Sequence, residues 1–381
     1  MGKTNVKTIH AATISRSIGF FIPIMNELAK KGYETIALSS PGPELENLKS
    51  AGIRSIDVQM ERRVNLTKDF ISLLRLIKIF QREKPYLVHS MTPKAGMLCM
   101  LAAWFTRVPR RVHTFTGLVW PTSQGLSRRI LMMADCITCA CATHIIPEGR
   151  GVMEDLQNYI TKKSMKVLGY GNIRGVDMKR FTLRTEIIKS AENISKDGVF
   201  TFLFVGRIVR DKGINELVHA FHLLNKEHHD CRLLLVGAYE EQLDPIAKES
   251  IELINTNPKI EYIGLKKGDD LVSIYAASDC YVFPSYREGF PNTVLEAGAM
   301  DLPCIVTDIN GSNEIIIDGK NGIIIPPKDE TALYQAMRKM VFDVDCYNEY
   351  RNNARKMIQN RFERGFVKKC LLDFYENALL K

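Results

Sequence analysis

The stretch Tyr281–Met300, YVFPSYREGFPNTVLEAGAM, decides how this chain is read. A buried-strand run ends at Phe283, Pro284–Gly289 makes a tight exit, and helix-forming residues follow Pro291. Proline suits the first helical position, because the N–H it lacks would have no intrahelical partner there. Backbone N–H groups near Phe290, Asn292 and Thr293 then point back toward the strand end. Such a helix N-terminus is an anion site suited to a diphosphate. Glu288 stands just before the helix and Glu296 on it, eight residues later, so both can reach one ligand spanning the mouth of a sheet. Either glutamate alone reads as an ordinary loop or surface carboxylate. Strand, Pro, Glu, Gly-Phe-Pro-Asn, helix and second Glu together are far more specific.

Upstream, Phe202–Gly213, FLFVGRIVRDKG, is a strand running into Gly206 and then Arg207 and Lys212. Two cations at a strand's carboxyl end, across from a helix N-terminus, bracket a diphosphate. The guanidinium offers a bidentate fork and the ammonium a point charge. On their own they read as surface cations; beside the glutamate pair they complete a site.

Short β-branched runs alternate with helical patterns along the whole chain, which predicts α/β structure with parallel sheets covered on both faces. The expected strands of the first half are Thr8–Ala12, Thr35–Ser39, Arg54–Asp57, Leu87–Ser90, Arg111–Thr114 and Ile137–Ala140. Helical patterns cover Ile18–Lys31, Thr67–Glu83 and Lys94–Thr106. A second series opens at Phe200–Val205 and continues through Arg232–Val236, Ile260–Ile263, Cys280–Phe283 and Cys304–Val306. Two Rossmann-like doubly wound domains facing a cleft are therefore expected, residues 1–182 and 198–360, with ligands at the carboxyl ends of their strands. Polar Arg184–Gly198 reads as the linker, and 361–381 as a terminal helix that can pack back on the first domain.

At 381 residues, 45% hydrophobic and 25% charged, the chain suits globular domains rather than disorder. Polar Met1–Val6 opens no secretory signal, and the longest apolar run of the first half, Met97–Phe105, is far short of the roughly 20 residues a spanning helix needs. A cytoplasmic location is expected, and nine cysteines set mostly in apolar runs suit its reducing chemistry. Cys136-x-x-Cys139-x-Cys141, with His144 behind, reads as a half-buried strand rather than a metal site, since no second ligand pair follows. Charge is uneven. Residues 1–180 carry 27 Lys+Arg against 13 Asp+Glu, and residues 181–381 carry 25 against 30. An anionic membrane surface or acceptor ranks first as the partner of the basic half, a plain solvated face second, and nucleic acid last, for no nucleic-acid-binding signature accompanies the charge.

With these motifs the chain resembles the retaining GT-B glycosyltransferases of family four, whose signature is a pair of glutamates separated by seven residues. The resemblance covers nearly the whole chain. It implies that Glu288 contacts the donor sugar and supports the transition state, and that Glu296 binds the nucleotide ribose. Backbone amides of Phe290, Pro291–Asn292 and Thr293 would hold sugar and phosphate. Gly206, Arg207 and Lys212 would stabilise the leaving diphosphate in place of a metal, so no metal and no cofactor are expected beyond the nucleotide sugar. Glu261–Leu265 stands where the family's base-binding loop lies, which brings in Gly264 and Leu265. Asn313-Glu314 and Gly319–Gly322 read as turns.

The first half is similar to the subgroup that builds bacterial surface polysaccharides, through Pro41-Gly-Pro, Glu61-Arg-Arg and His89–Met97, HSMTPKAGM. Thr92 and Lys94 would face the acceptor, with Arg16 greeting an anionic one and Gly19 near the donor phosphate. His113 would contact donor or acceptor and share a proton. Many relatives carry a second histidine where this chain has Thr116, and an asparagine where it has Arg174. The implied reaction moves a sugar from a nucleotide diphosphate-sugar, UDP favoured, to a glycan or lipid-linked acceptor, with peripheral contact at the membrane's inner face. A nucleotide-sugar epimerase of the same architecture is the alternative. A dehydrogenase is disfavoured, since Ala-Thr-Ile-Ser follows the first strand where a G-x-G-x-x-G would stand.

Overall fold

The structure, a computed structural model, describes residues 6–50, 52–61, 65–240 and 244–379. Of the motifs above, Arg62 and Arg63 and most of Met1–Val6 lie outside the described residues. The chain divides into two compact units, an N-terminal one of residues 1–174 with 367–381, and a C-terminal one of 175–366.

The N-terminal unit is built on six parallel strands: β1 Lys7–Ala11, β2 Glu34–Ser39, β3 Ser55–Asp57, β4 Leu87–Met91, β5 Arg110–Phe115 and β6 His144–Pro147. Their order across the sheet is β3-β2-β1-β4-β5-β6. The C-terminal unit repeats the pattern with β7 Phe200–Val205, β8 Cys231–Val236, β9 Ile260–Gly264, β10 Cys280–Phe283, β11 Cys304–Thr307 and β12 Gly322–Ile325, ordered β12-β11-β10-β7-β8-β9. Both are the doubly wound order 3-2-1-4-5-6, whose ligand crevice lies where the order reverses, between β1 and β4 and between β7 and β10. Central strands buried on both faces need unbroken apolar runs, and β8 (CRLLLV) and β10 (CYVF) are buried at every residue.

Several expectations change. Ile137–Ala140 is not a strand but the end of the Gly125–Cys141 helix, and β6 begins at His144. Cys136 is exposed there while Cys139 and Cys141 are buried, and among the described residues no group of three His, Cys, Asp or Glu could hold a metal ion. An Asp-x-Asp pair was expected to be absent, but the chain has one, Asp343–Asp345; it serves as a helix cap, with Asp343 Oδ1 accepting from Cys346 N at 3.1 Å. The expected helix Ile18–Lys31 is broken into Ser15–Ile18 and Ile22–Lys30, with Pro23 in the first turn of the second piece. Gly322, read as a turn, opens β12. The change of unit falls at Arg174–Gly175 rather than 182, and the expected linker holds a helix, Thr185–Glu192, whose Ile187 joins the C-terminal core.

The chain returns to the N-terminal unit at Val367. Leu371 and Tyr375 enter its core, and the Tyr375 hydroxyl sits between His10 Nε2 (3.1 Å) and His89 Nδ1 (2.5 Å). Among the described residues, no helix is long and apolar enough to cross a membrane.

Candidate active site

β7 and β10 are hydrogen-bonded neighbours at the point where the strand order of the C-terminal sheet reverses. The segment leaving β7 turns through Arg210–Lys212 and opens the Ile214–Glu227 helix at Gly213. Gly213 has φ +69°, and a Cβ there would stand 2.1 Å from the Pro284 carbonyl oxygen just beyond β10. Only glycine lets the two segments touch this closely. Tyr286 N donates to the Asp211 carbonyl at 2.8 Å, joining both loops, and Ser285 Oγ lies 3.2 Å from the same oxygen.

This zipped pair of loops brings Lys212 Nζ onto Glu288 Oε1, with the two side chains 12% and 17% exposed. Ser285 Oγ donates to the same carboxylate oxygen at 2.9 Å, and Lys212 Nζ lies 5.6 Å from the centre of the Phe283 ring. Glu288 is thus held by two donors from two segments. Beyond it, Gly311 (φ +78°) approaches so closely that a Cβ would meet the Gly289 carbonyl oxygen at 2.2 Å, which fixes the path into the next helix.

That helix is Asn292–Ala299, so Pro291 is its N-cap residue (φ −73°, ψ 110°) rather than its first helical position. Phe290 is core: it is 5% exposed, its ring 5.4 Å from Phe362. Any part it has in ligand binding falls to its backbone. Glu296, half-buried, accepts from Tyr275 Oη at 3.4 Å, and that hydroxyl also lies 3.4 Å from the Thr293 carbonyl. Burial, then the nearby carboxylate, pushes the Tyr275 phenol well above its ordinary range, so it stays a neutral donor. Arg207, just past Gly206, pairs with Glu240 at 2.7 Å and lies 4.0 Å from Asp211. Partial burial pulls its pKa down, but Glu240, Asp211 and Glu288 outweigh this and raise it. Gly264 (φ +72°) ends β9, two strands from β7 and about 10 Å from it. Leu265 beside it is 60% exposed.

Glu288, Lys212 and Ser285 are therefore brought together, with Arg207 in their field and Glu296 on the adjoining helix. Ser285, Asp211, Glu240 and Tyr275 were missed by sequence reading. Ser285 and Asp211 lie inside the quoted motifs as a hydroxyl and an acid next to the key charges, which was a usable signal. Glu240 and Tyr275 arrive from other elements and left none.

The N-terminal unit differs. At the matching reversal Thr92 Oγ1 accepts from Thr13 N at 3.0 Å and lies 2.7 Å from Thr13 Oγ1. Thr92 has φ +72°, a costly conformation for a β-branched residue. Lys94, expected toward the acceptor, is bonded to Asp69, both side chains 9% exposed. Arg16 and Gly19 are exposed, and Gly19 has φ −55°, open to any residue, so no glycine-requiring turn exists there. His113 is 1% exposed, hydrogen-bonded to Ser90 Oγ at 2.8 Å, with the Pro93–Phe105 helix pressed on its ring at Gly96. Burial drops its pKa to about 3, so it is a neutral packed histidine where a proton-sharing one was expected. His10 falls to about 3 for the same reason, and His89 well below its ordinary value.

Comparison with known proteins gives the family and the fold. The profile for "Glycosyl transferases group 1" matches residues 185–357, and that for "Glycosyl transferase 4-like domain" residues 23–171. The capsular polysaccharide biosynthesis glycosyltransferase CapM of Staphylococcus aureus is 31% identical over 379 residues, covering 99% of this chain and 98% of CapM. The Escherichia coli UDP-Gal:alpha-D-GlcNAc-diphosphoundecaprenol alpha-1,3-galactosyltransferase is 29% identical, with 79% and 78% covered. Among solved structures, sucrose-phosphate synthase of Thermosynechococcus elongatus has the same fold: TM-score 0.81, 20% identity, 98% of this chain and 99% of that one covered.

Proposed function

This chain belongs to the group 1 glycosyltransferases, and on that footing we propose that it is a retaining enzyme moving a sugar from a UDP-sugar to a lipid-linked sugar during surface-polysaccharide assembly. The observation that carries the donor side is the Lys212–Glu288 pair at the carboxyl ends of β7 and β10, beside the N-terminus of Asn292–Ala299. The name of the Escherichia coli relative supports both the UDP-sugar and the diphospholipid acceptor.

In this reading the bond from the anomeric carbon to the donor phosphate oxygen breaks. A bond to the acceptor hydroxyl oxygen forms on the same face. The acceptor proton passes to the departing diphosphate. Lys212 and Arg207 take up its growing negative charge, and Glu288 stands against the positive charge that develops on the sugar ring. Fixed charges of this kind, set before reaction begins, usually contribute most to lowering the barrier. Glu296 takes the ribose hydroxyls, the amides of Asn292 and Thr293 the phosphate and sugar, and the Gly264–Leu265 segment the base. Two protein cations make a divalent metal dispensable, so chelation is expected to leave turnover unchanged. The basic first half suits a station on the cytoplasmic face of an anionic membrane.

The deciding experiment incubates purified protein with UDP-sugars, with and without a sugar-diphospholipid acceptor. UDP release that needs the acceptor, with the donor's anomeric configuration kept in the product, is the expected result. Epimerised sugar formed without acceptor would sink the reading. The relatives described above are transferases or a synthase by name, which favours transfer over epimerisation.

A further inference from the structure

The N-terminal unit holds a pocket that none of the donor-site residues touches. Its volume is about 310 Å³, at the small end of ligand pockets. Its walls come from the first turns of the Leu66–Glu83 and Pro93–Phe105 helices, from Gly117–Trp120 after β5, and from one side of the Gly125–Cys141 helix. This is the carboxyl side of β4 and β5, the rim where open α/β sheets bind ligands. We propose that it receives the hydrocarbon chain of the lipid-linked acceptor, next to the diphosphate; the inference rests on the acceptor reading given above.

Three features select a lipid chain. The walls are apolar, with Met97, Trp120, Ile130 and Ile137 among them, and most of their polar atoms are paired: Lys94 with Asp69 Oδ2, and Trp120 Nε1–H with Asp135 Oδ2 at 3.1 Å, while Asp69 Oδ1 is buried without a partner among the described residues. A sugar or a nucleotide needs several convergent polar partners, and a single unpartnered acceptor, Asp69 Oδ1, is fewer than that. The surroundings are dry enough that burial pushes the Asp135 carboxyl up to about 7.

The apolar surface also runs on beyond the pocket. Leu66, Phe70, Leu126 and Met133 are 81, 60, 73 and 59% exposed at or beside the mouth. Leu66 and Phe70 stand one turn apart on the same helix face. A small soluble ligand would leave this rim bare, whereas a chain emerging toward a bilayer covers it. Cations stand where the diphosphate would follow the chain. The Arg128 guanidinium lies 5.6 Å from the centre of the Trp120 ring, and exposed Arg129 is next to it. An amphiphile with an anionic head and an apolar tail matches that layout.

Farnesyl diphosphate is the probe, since it presents an isoprenoid chain and a diphosphate without requiring turnover. The chain has two tryptophans. Trp104→Phe therefore leaves Trp120 as the reporter inside the pocket wall. Farnesyl diphosphate is expected to change Trp120 emission and to bind at least tenfold tighter than inorganic diphosphate. Ala134→Phe, which fills the pocket, should weaken it at least tenfold, while UDP affinity stays within twofold. Ile130→Asp, at a partly exposed position, gives the same expectation should Ala134→Phe fail to fold. Farnesyl diphosphate binding no tighter than diphosphate, or equal in the folded variants, overturns the proposal. So does a result in which the variants lose flotation with phosphatidylglycerol vesicles yet keep farnesyl diphosphate, for the patch is then a bilayer surface. Sugar transfer to a lipid acceptor by an enzyme lacking this binding would sink the pocket alone. Farnesyl diphosphate binding without any transfer would sink the enzymatic reading alone.

Discussion

Where β7 and β10 part, the chain sets Lys212 against Glu288; where β1 and β4 part, it sets Thr13 against Thr92 above a layer of His10, His89 and Tyr375. The two sheets have the same strand order, so the difference lies in the loops that leave the strands and in the side chains they carry. The C-terminal crevice keeps its charges partly exposed, where they can exchange one partner for an anionic ligand. The N-terminal sheet buries three histidines so deeply that they stay neutral, and uses two of them to hold the returning C-terminal segment. One topology thus carries a charged site in one unit and a neutral anchor in the other.

The largest effect that tests this contrast is on turnover. Lys212→Ala and Glu288→Ala should each lower kcat/KM by about 10³-fold, roughly 4 kcal/mol of barrier, as loss of a key electrostatic group does. Melting temperatures should shift by no more than a few degrees. Near wild-type rates in both variants would remove the charged half of the contrast.

The second test is acid. His10 and His113 titrate near 3 when folded and near 6.5 when unfolded, so between those values the unfolded chain binds more protons and stability falls as pH falls. From pH 7 to pH 5 each should lose up to about 2 kcal/mol, and His89 acts in the same direction. Asp135 has the opposite sign: raised to about 7, it costs stability as pH rises from about 4 to 7. Urea denaturation should therefore show a steeper acid loss in Asp135→Asn than in the wild type. A flat profile in that variant would mean that the histidines are not buried neutral.

Smaller effects probe the anchor and the loop. Tyr375→Phe leaves His10 and His89 without their shared hydroxyl and should cost about 1–3 kcal/mol in the same denaturation experiment. Its kcat/KM per folded molecule should stay within a few-fold. Ser285→Ala removes one of the two donors on Glu288 and should lower kcat by about tenfold, or roughly 1.4 kcal/mol. An unchanged kcat would show that Lys212 alone positions the carboxylate.

The legibility of the two regions in sequence differs for the same reason. The loops after β7 and β10 are local: strand, turn and helix N-terminus each fall within 20 residues, so Glu288, Glu296, Arg207 and Lys212 could be read together. Their supports, Glu240 and Tyr275, come from distant elements and could not. In the N-terminal unit the strands up to β5 were legible from β-branched runs. Ile137–Ala140 was not, because a short apolar run looks alike in a strand and at the end of a buried helix. Nothing local announced that Gly96 would press on the His113 ring, that Lys94 would be taken by Asp69, or that Thr92 would be held at positive φ. These outcomes are decided by packing between elements.

Calorimetric titration of UDP into the wild type, Lys212→Ala and Tyr375→Phe tests the charged crevice most directly. Lys212→Ala should bind UDP at least tenfold more weakly, and Tyr375→Phe, folded, should bind it like the wild type. UDP affinity unchanged in Lys212→Ala would contradict a donor site between β7 and β10.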